Sequence, residues 1–375
     1  MRYVMIHVLI FALAFAGAAV ADEAPAEPDI AALAAQLASE KYYEREAALS
    51  ALIENAEKAT PAMLCALESA DYNTRAAAVE FFRAKATPET CPQLFEILKR
   101  SKETEVITGL TRVLARLAYK ESLEHVRTLL ADPNPAVRAV ATDSLAAFGD
   151  KESAAKIAPM LSDEFSEARI AAAKALAAMG AAELGKDVFA AFEKEKIPEV
   201  QRAMVEALGV LKVADAATAL IEAVKDEESP IFLPAVFALA KIGGDDARDA
   251  LINLLMTSKD LEMLNLAAGA VGVMGEAAIP ALEEKSPGLK NDNDARFKIL
   301  SAFGKMGKYV IPHLISFIEH EPYAIWRGQA GDRLRAIIKR EYGEDMPVPA
   351  YDDSDEVLKE KTAKLKQWWE EHKDK

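Results

Sequence analysis

The chain has little of what several large protein classes depend on. Its 375 residues include only two cysteines and no CxxC pair, which excludes a disulfide framework and a structural zinc finger. Lysine and arginine number 45 against 60 aspartate and glutamate residues, giving a formal net charge of −15. Nucleic-acid binding needs clustered basic residues, so this balance argues against it. Aromatic residues make up only 7%, and glycine and proline count 17 each, which excludes collagen-like and disordered chains.

The motifs of common catalytic and cofactor sites are also missing. The sequence has no HExxH, no GxSxG, no GxxxxGKS and no GxGxxG after a strand. His313 and His320 could share one helix face, with Glu321 adjoining, but no third zinc ligand is visible. We therefore predict no catalytic residue, no metal and no cofactor, and we expect a protein that is not an enzyme.

The N-terminus has the features of a secretory signal peptide. Arg2 precedes an apolar run, and Ala19-Val20-Ala21 is a small-x-small cleavage site. We predict cleavage after Ala21, with an uncleaved signal anchor as the alternative, and a secreted or bacterial periplasmic location. A polar linker at 22–28 follows. Since we recognise no second apolar run of about 18 residues, we expect no integral membrane segment in the mature chain.

Three series of residues recur together at a period of about 31 between residues 29 and 342, which indicates a repeat protein. Each unit is predicted to be a helix A, a turn and a helix B. Glycines are expected to follow helix ends, prolines to open or enter A helices, and arginines to lie one turn into B helices. The glycines are Gly149, Gly180, Gly209, Gly243, Gly275 and Gly307; the prolines are Pro61, Pro92, Pro159, Pro280 and Pro312; the arginines are Arg45, Arg75, Arg138, Arg169, Arg202, Arg296 and Arg327.

The second helix of each unit can be placed from these series. Predicted B helices that lack the arginine carry Ile107, Leu233 and Leu264 at the matching place. The ten predicted B helices are 41–55, 71–84, 103–118, 134–148, 166–179, 197–208, 230–242, 260–274, 293–306 and 323–341.

Two of these units carry a recognisable signature. Residues 132–149 and 163–180 follow the pattern D-x-x-x-x-V-R-x-x-A-x-x-A-L-x-x-x-G closely. This resembles HEAT repeats in the short bacterial form that includes the phycobilisome-lyase-like units. The resemblance implies an all-α, armadillo-like right-handed α-solenoid of about ten helix pairs over residues 29–342, with B helices on its concave face. It also implies a role in holding other proteins.

The arginine series has two interpretations. Each arginine could meet a turn aspartate of its own or the next unit and so fix the angle between repeats. Turn candidates are Asp71, Asp132, Asp163 and Asp292. Alternatively, the arginines could line a groove for an acidic ligand. The negative net charge favours the structural ladder.

Aromatic residues near the starts of B helices, and two in the tail, are the possible partner-binding residues, because tyrosine and tryptophan dominate binding hot spots. Packing and covering of turns is the alternative role for the first six. These residues are Tyr42, Tyr43, Tyr72, Phe232, Tyr323, Trp326, Trp368 and Trp369.

The period stops after Tyr342. An acidic, Pro-containing linker at 343–353 precedes a helix within 354–375, for which Ser354 is the predicted N-cap. Its apolar stripe, with Trp368 and Trp369, predicts a lid over the last repeat. The alternative is a docking helix for a partner or a membrane interface.

Together these features predict a secreted or periplasmic scaffold, monomeric, that binds an unidentified protein partner through the concave face. The alternatives are a self-assembling envelope component and, less favoured, a lyase-like or metal-dependent enzyme in the groove. HEAT-repeat di-iron hydroxylases use several His-Glu pairs, whereas only His320-Glu321 occurs here. For Cys65 and Cys91 we favour two buried thiols over a disulfide, which stays open.

Overall fold

The computed structural model describes residues 28–285 and 292–374. The predicted signal peptide and residues 22–27 of the predicted linker lie outside this part of the chain. All regular elements of the described residues are helices. The chain divides into two compact units, one ending at Ser101 and the other beginning at Lys102.

The first unit contains five helices around a small apolar core. Leu52, Met63, Phe81 and Phe82 are fully buried there, and the rings of the two phenylalanines meet edge to face. The helices are α1 (Ile30–Gln36), α2 (Tyr42–Glu54), α3 (Ala56–Ala66), α4 (Tyr72–Lys85) and α5 (Cys91–Arg100).

The second unit continues the same alternation of helices and ends with a long C-terminal helix. Several of the odd-numbered helices are short because 3-10 turns replace part of their length. The helices are α6 (Thr104–Arg116), α7 (Leu123–Thr128), α8 (Pro135–Ala147), α9 (Ala154–Ile157), α10 (Ser166–Met179), α11 (Gly185–Phe192), α12 (Pro198–Val210), α13 (Ala217–Ala223), α14 (Phe232–Ile242), α15 (Asp245–Thr257), α16 (Leu261–Met274), α17 (Ile279–Lys285), α18 (Asn293–Lys305), α19 (Ile311–His320), α20 (Ala324–Tyr342) and α21 (Asp355–His372).

The even-numbered helices from α2 to α20 are the ten predicted B helices, and each begins and ends within two residues of its predicted bounds. In the second unit each B helix packs against the next one along the chain. Alanines make this contact close: Ala171, Ala172, Ala173 and Ala175 of α10 are all buried. One continuous apolar core runs from Val126 to Trp368.

Five of the six predicted glycines follow a helix end, and the prediction is wrong only for Gly209. Gly149, Gly180, Gly243 and Gly275 all have positive φ. Gly307 follows the end of α18 with negative φ, whereas Gly209 lies inside α12. A Cβ on Gly209 would lie 2.7 Å from the Cα of Ala238 in α14, so this glycine permits close helix packing. Lys212 takes the left-handed conformation after α12 instead, with φ of 54°.

The C-terminal helix covers the last repeat, as the lid interpretation predicts. α21 packs against α19, with Thr362, Leu365 and Trp368 buried. Ser354 caps the helix by accepting a hydrogen bond from the Val357 amide at 3.3 Å. The Trp368 indole donates to Glu344 at 2.6 Å, and its ring meets the ring of Tyr342 edge to face.

One stretch of described residues, Leu261–Glu284, is long and apolar enough by length and composition to cross a membrane. By itself this does not show a membrane-spanning helix, and the expectation that the mature chain has no integral membrane segment stays a prediction. The stretch contains α16, whose Leu264, Ala267, Ala268 and Val271 are buried. α16 packs against α14, α15 and α18, and its buried residues belong to the continuous core.

Candidate functional site: the arginine ladder and the B-helix face

Most of the predicted ladder arginines hold the turn that precedes their own helix. In each, Nη1 donates to the backbone carbonyls five and six residues earlier. Arg138 contacts the carbonyls of Asp132 and Pro133 at 2.8 and 3.1 Å. Arg45, Arg75, Arg169 and Arg327 make the equivalent contacts.

Three ladder arginines, Arg138, Arg169 and Arg296, also bind a carboxylate of the following unit. Arg138 binds Asp163 through Nε and Nη2, both at 2.8 Å. Arg169 binds Glu195 at 2.6 and 3.3 Å, and the Nε of Arg296 donates to Glu321 at 3.1 Å. This pairing of two planar forks fixes one unit against the next. The structure thus supports the structural interpretation of these three arginines.

Each bridging carboxylate also accepts an amide hydrogen bond from the start of its own B helix. Asp163 accepts from Phe165 at 3.0 Å, Glu195 from Ile197 at 2.8 Å, and Glu321 from Tyr323 at 3.1 Å. One acidic side chain therefore orients a helix start and receives the neighbouring arginine.

These contacts shift the acidity of two of the bridging carboxylates. The hydrogen bond from Arg138 holds the pKa of Asp163 below its usual range, against the opposing effect of burial. Burial alone would raise the pKa of Glu195, but the hydrogen bonds from Arg169 and two backbone amides outweigh it, and the net shift is downward.

Arg202 is not part of the ladder, and this prediction is wrong. Its side chain is exposed and reaches only Glu199, at 3.4 Å. Gln201, one residue earlier, takes the ladder position and donates to the Glu195 carbonyl at 2.9 Å. The period alone does not resolve this one-residue difference.

A second bridge, which the sequence analysis missed, connects the end of an A helix to a later turn. Arg127 donates from Nε and Nη2 to Asp150 at 2.8 and 2.6 Å, and from Nε to Ser153 at 3.1 Å. The hydrogen bond from Arg127 lowers the pKa of Asp150, although burial opposes it. The sequence suggests only a local pair of Arg127 with Glu124, three residues earlier, whereas Asp150 is more than twenty residues away.

Several turn aromatics lie over ladder arginines. The guanidinium of Arg138 lies 5.7 Å from the ring centre of Phe165, and that of Arg296 lies 4.9 Å from Tyr323. Within the first unit, Arg45 lies 5.7 Å from Tyr42. For Tyr42 and Tyr323 these contacts favour the covering of turns.

The predicted partner-binding aromatics separate into exposed and buried groups. Tyr42, Tyr43, Tyr72 and Tyr323 are exposed. Trp369 is half-buried against the core. The prediction is wrong for Phe232, Trp326 and Trp368, because their side chains are buried and offer no surface to a partner.

A row of surface residues on the B helices, which the sequence analysis did not single out, recurs at the repeat period. In the second unit the row reads Arg112, Asp143, Lys174, Glu206 and Phe237 on α6, α8, α10, α12 and α14. Arg112, Asp143 and Lys174 occupy equivalent positions on α6, α8 and α10, which pack side by side, so the three lie on one face. Desolvation raises the pKa of Asp143, and the charges of Arg112 and Lys174 oppose this shift only in part.

A group of exposed apolar side chains on this face, which we call the apolar patch, follows the charged row. It consists of Leu233 (55% exposed) and Phe237 (46%) of α14, Val210 (47%) of α12 and Val273 (60%) of α16. Beside them, a Cβ on Gly269 would have no neighbour within 4 Å, so open space adjoins the patch. Leu233 is therefore not at the position of α14 that matches buried Leu264 in α16. Its buried neighbour Phe232 occupies that position.

The candidate metal and cysteine residues form no site in the described parts of the chain. His313 binds Glu283 at 2.6 Å and His320 binds the Ser316 carbonyl at 2.8 Å, so they do not converge. No group of three potential metal ligands occurs among the described residues. Cys65 and Cys91 are not joined in a disulfide; Cys91 is buried, but Cys65 is exposed, contrary to expectation.

Comparisons with known families identify the repeats. A family model of HEAT repeats matches residues 91–163 and 154–232, and one of PBS lyase HEAT-like repeats matches residues 235–255. This chain is a HEAT-repeat protein. The all-helical repeat array is therefore a HEAT-repeat α-solenoid, as predicted. No curated protein matches the sequence.

Three solved structures are examples of a similar course of the chain. An engineered protein is 20% identical over 83% of this chain and 99% of its own, with a TM-score of 0.49. Kap121p is 16% identical over 85% of this chain and 46% of its own, with a TM-score of 0.39. A chain of the CpcE–CpcF complex of phycocyanin lyase from Nostoc sp. PCC7120 is 18% identical over 73% of this chain and 99% of its own, with a TM-score of 0.32.

Proposed function

We propose that this HEAT-repeat protein is a non-enzymatic scaffold that binds another protein through the B-helix face of its second unit. The observation that supports this is the apolar patch of Val210, Leu233, Phe237 and Val273. Apolar side chains clustered on one exposed face favour a protein contact. The charged row beside the patch would supply the polar rim of such an interface.

The proposed location is secreted or periplasmic, and this rests on the N-terminal sequence alone. The proposal includes no nucleic-acid partner, because the net charge of −15 opposes one. An envelope component that assembles only with itself is the main competing role, and a lyase-like activity is a more distant one.

The decisive experiment is chemical cross-linking of the full chain in its native envelope fraction, followed by affinity capture and mass spectrometry. We expect partner cross-links near Lys174 and Lys241, which flank the apolar patch on α10 and α14. Replacing Phe237 with Asp should reduce capture at least about tenfold, because it buries a charge at the contact.

The matched control is Tyr309→Asp, which changes an exposed aromatic residue outside the B helices. It should leave capture unchanged. If both variants captured the partner like the parent chain, or if only self cross-links appeared, the proposed role of the patch would be wrong.

A further inference from the structure

The ladder contains its own template for a carboxylate site. In Arg138 and Arg169, Nη1 is held by two backbone carbonyls, which directs Nε and Nη2 at the same carboxylate. The distances to that carboxylate range from 2.6 to 3.3 Å. The backbone carbonyls thus orient the guanidinium independently of the carboxylate that it binds.

Arg327 is the last arginine of the series and shares the first half of this geometry. Its Nη1 donates to the carbonyls of Glu321 and Pro322 at 3.3 and 3.4 Å. Within the described parts of the chain, its Nε and Nη2 meet no carboxylate, because no further repeat follows α20. α21 stands there instead.

Arg327 lines a cleft of about 520 Å³ between the turn that precedes α20 and the exposed side of α21. Two acidic groups of the cleft are engaged: Glu319 binds Lys366 at 2.7 Å, and Glu321 binds Arg296 at 3.1 Å. Among the described residues, Arg327, Lys359 and Asp355 line the cleft without an ion pair. The unpaired charges therefore sum to one positive charge, which favours an anion.

We propose that this cleft binds an aspartate or glutamate at the start of a helix in a partner protein. That residue would meet Arg327 as Asp163 meets Arg138. The commitment to a helix start comes from the template, since Asp163, Glu195 and Glu321 each also accept an amide hydrogen bond from their own helix start. The cleft shares no residue with the apolar patch.

The test uses the full chain and a fluorescent peptide of residues 163–180, which carries the template carboxylate and its helix. Fluorescence anisotropy measures binding. We expect Arg327→Gln to weaken binding about tenfold, because a bidentate charge-assisted contact is lost. The same peptide with Asp163→Asn should bind the parent chain about tenfold more weakly. Arg202→Gln, which changes an exposed arginine outside the ladder, is the matched control and should bind like the parent.

Circular dichroism checks that each variant is folded. Should Arg327→Gln unfold, Lys359→Glu replaces it, because this exposed residue of α21 reverses a charge of the cleft without touching the core. Equal binding by these folded variants, or by the Asn-containing peptide, would overturn the proposal. So would a site that takes inorganic phosphate in an Arg327-dependent way but not the peptide. Phe237→Asp should not change peptide binding, which separates this test from that of the proposed function.

Discussion

At the scale of single residues, one ladder arginine does two things: the Arg138 guanidinium holds the turn before its own helix and binds Asp163 of the next unit. Arginine at the repeat period was enough to predict a ladder, and Arg138 and Asp163 behave as expected. The carbonyl contacts were not predictable, because a long side chain reaches many acceptors from one backbone position. It was also not predictable that Gln201 takes the ladder position in place of Arg202, because a one-residue change of register leaves the period unaltered.

The bridge between Arg138 and Asp163 should contribute strongly to stability. Both side chains are about nine-tenths buried, so removing one charge leaves the other without its partner. We expect Asp163→Asn to lower the free energy of unfolding by about 3 kcal/mol, measured by urea denaturation.

Glu199→Gln provides the control for that measurement. Glu199 forms an exposed pair with Arg202 at 3.4 Å, and its loss should cost less than about 1 kcal/mol. Equal effects of the two substitutions would show that the ladder bridge has no special weight.

At the scale of helices, the B helices were predictable because their starts and ends have clear signals. Pro135 and Pro198 occupy the first turns of α8 and α12, and Asp71 caps α4. The A helices were less predictable, because 3-10 turns interrupt them. Gly209 was misassigned because a glycine near a helix end fits both a cap and a close packing contact.

Two helical glycines should respond to alanine in opposite ways. Alanine favours a helix over glycine by about 1 kcal/mol, so Gly269→Ala, which meets open space, should raise the free energy of unfolding by about 0.5–1 kcal/mol. Gly209→Ala puts a methyl group against the α14 backbone and should lower it by about 1–3 kcal/mol. Denaturant titration measures both. A stabilising Gly209→Ala would contradict the close contact of α12 and α14.

At the scale of the whole molecule, the repeat period predicted a solenoid but not the division at Ser101. The period records which helix faces are apolar, and it passes through residue 101 without a break. The position of the apolar patch was equally hidden. Leu233 and Phe237 look like core residues in sequence, and only the packing of α14 shows that they face outward.

The carboxylate bridges make a prediction about the whole molecule in acid. The pKa values of Asp150, Asp163 and Glu195 are lowered in the folded state, so the unfolded chain binds more protons as the pH falls. Their stabilisation should be complete above about pH 5 and be lost progressively as the pH falls from the ordinary carboxyl range near 4 through the lower pKa values of the folded state. Asp143, whose pKa is raised, opposes this trend.

Melting temperatures measured by circular dichroism at stepped pH values should therefore fall steeply in acid. The slope should be smaller in Asp163→Asn, because one of the protonating bridges is gone before the titration begins, whereas Glu199→Gln should retain the parent slope. A parent chain whose melting temperature stayed level through the carboxyl range would contradict the role of these bridges in stability. An equal slope in Asp163→Asn would instead place the acid sensitivity in other carboxylates, and the inter-unit ladder would then serve geometry more than stability.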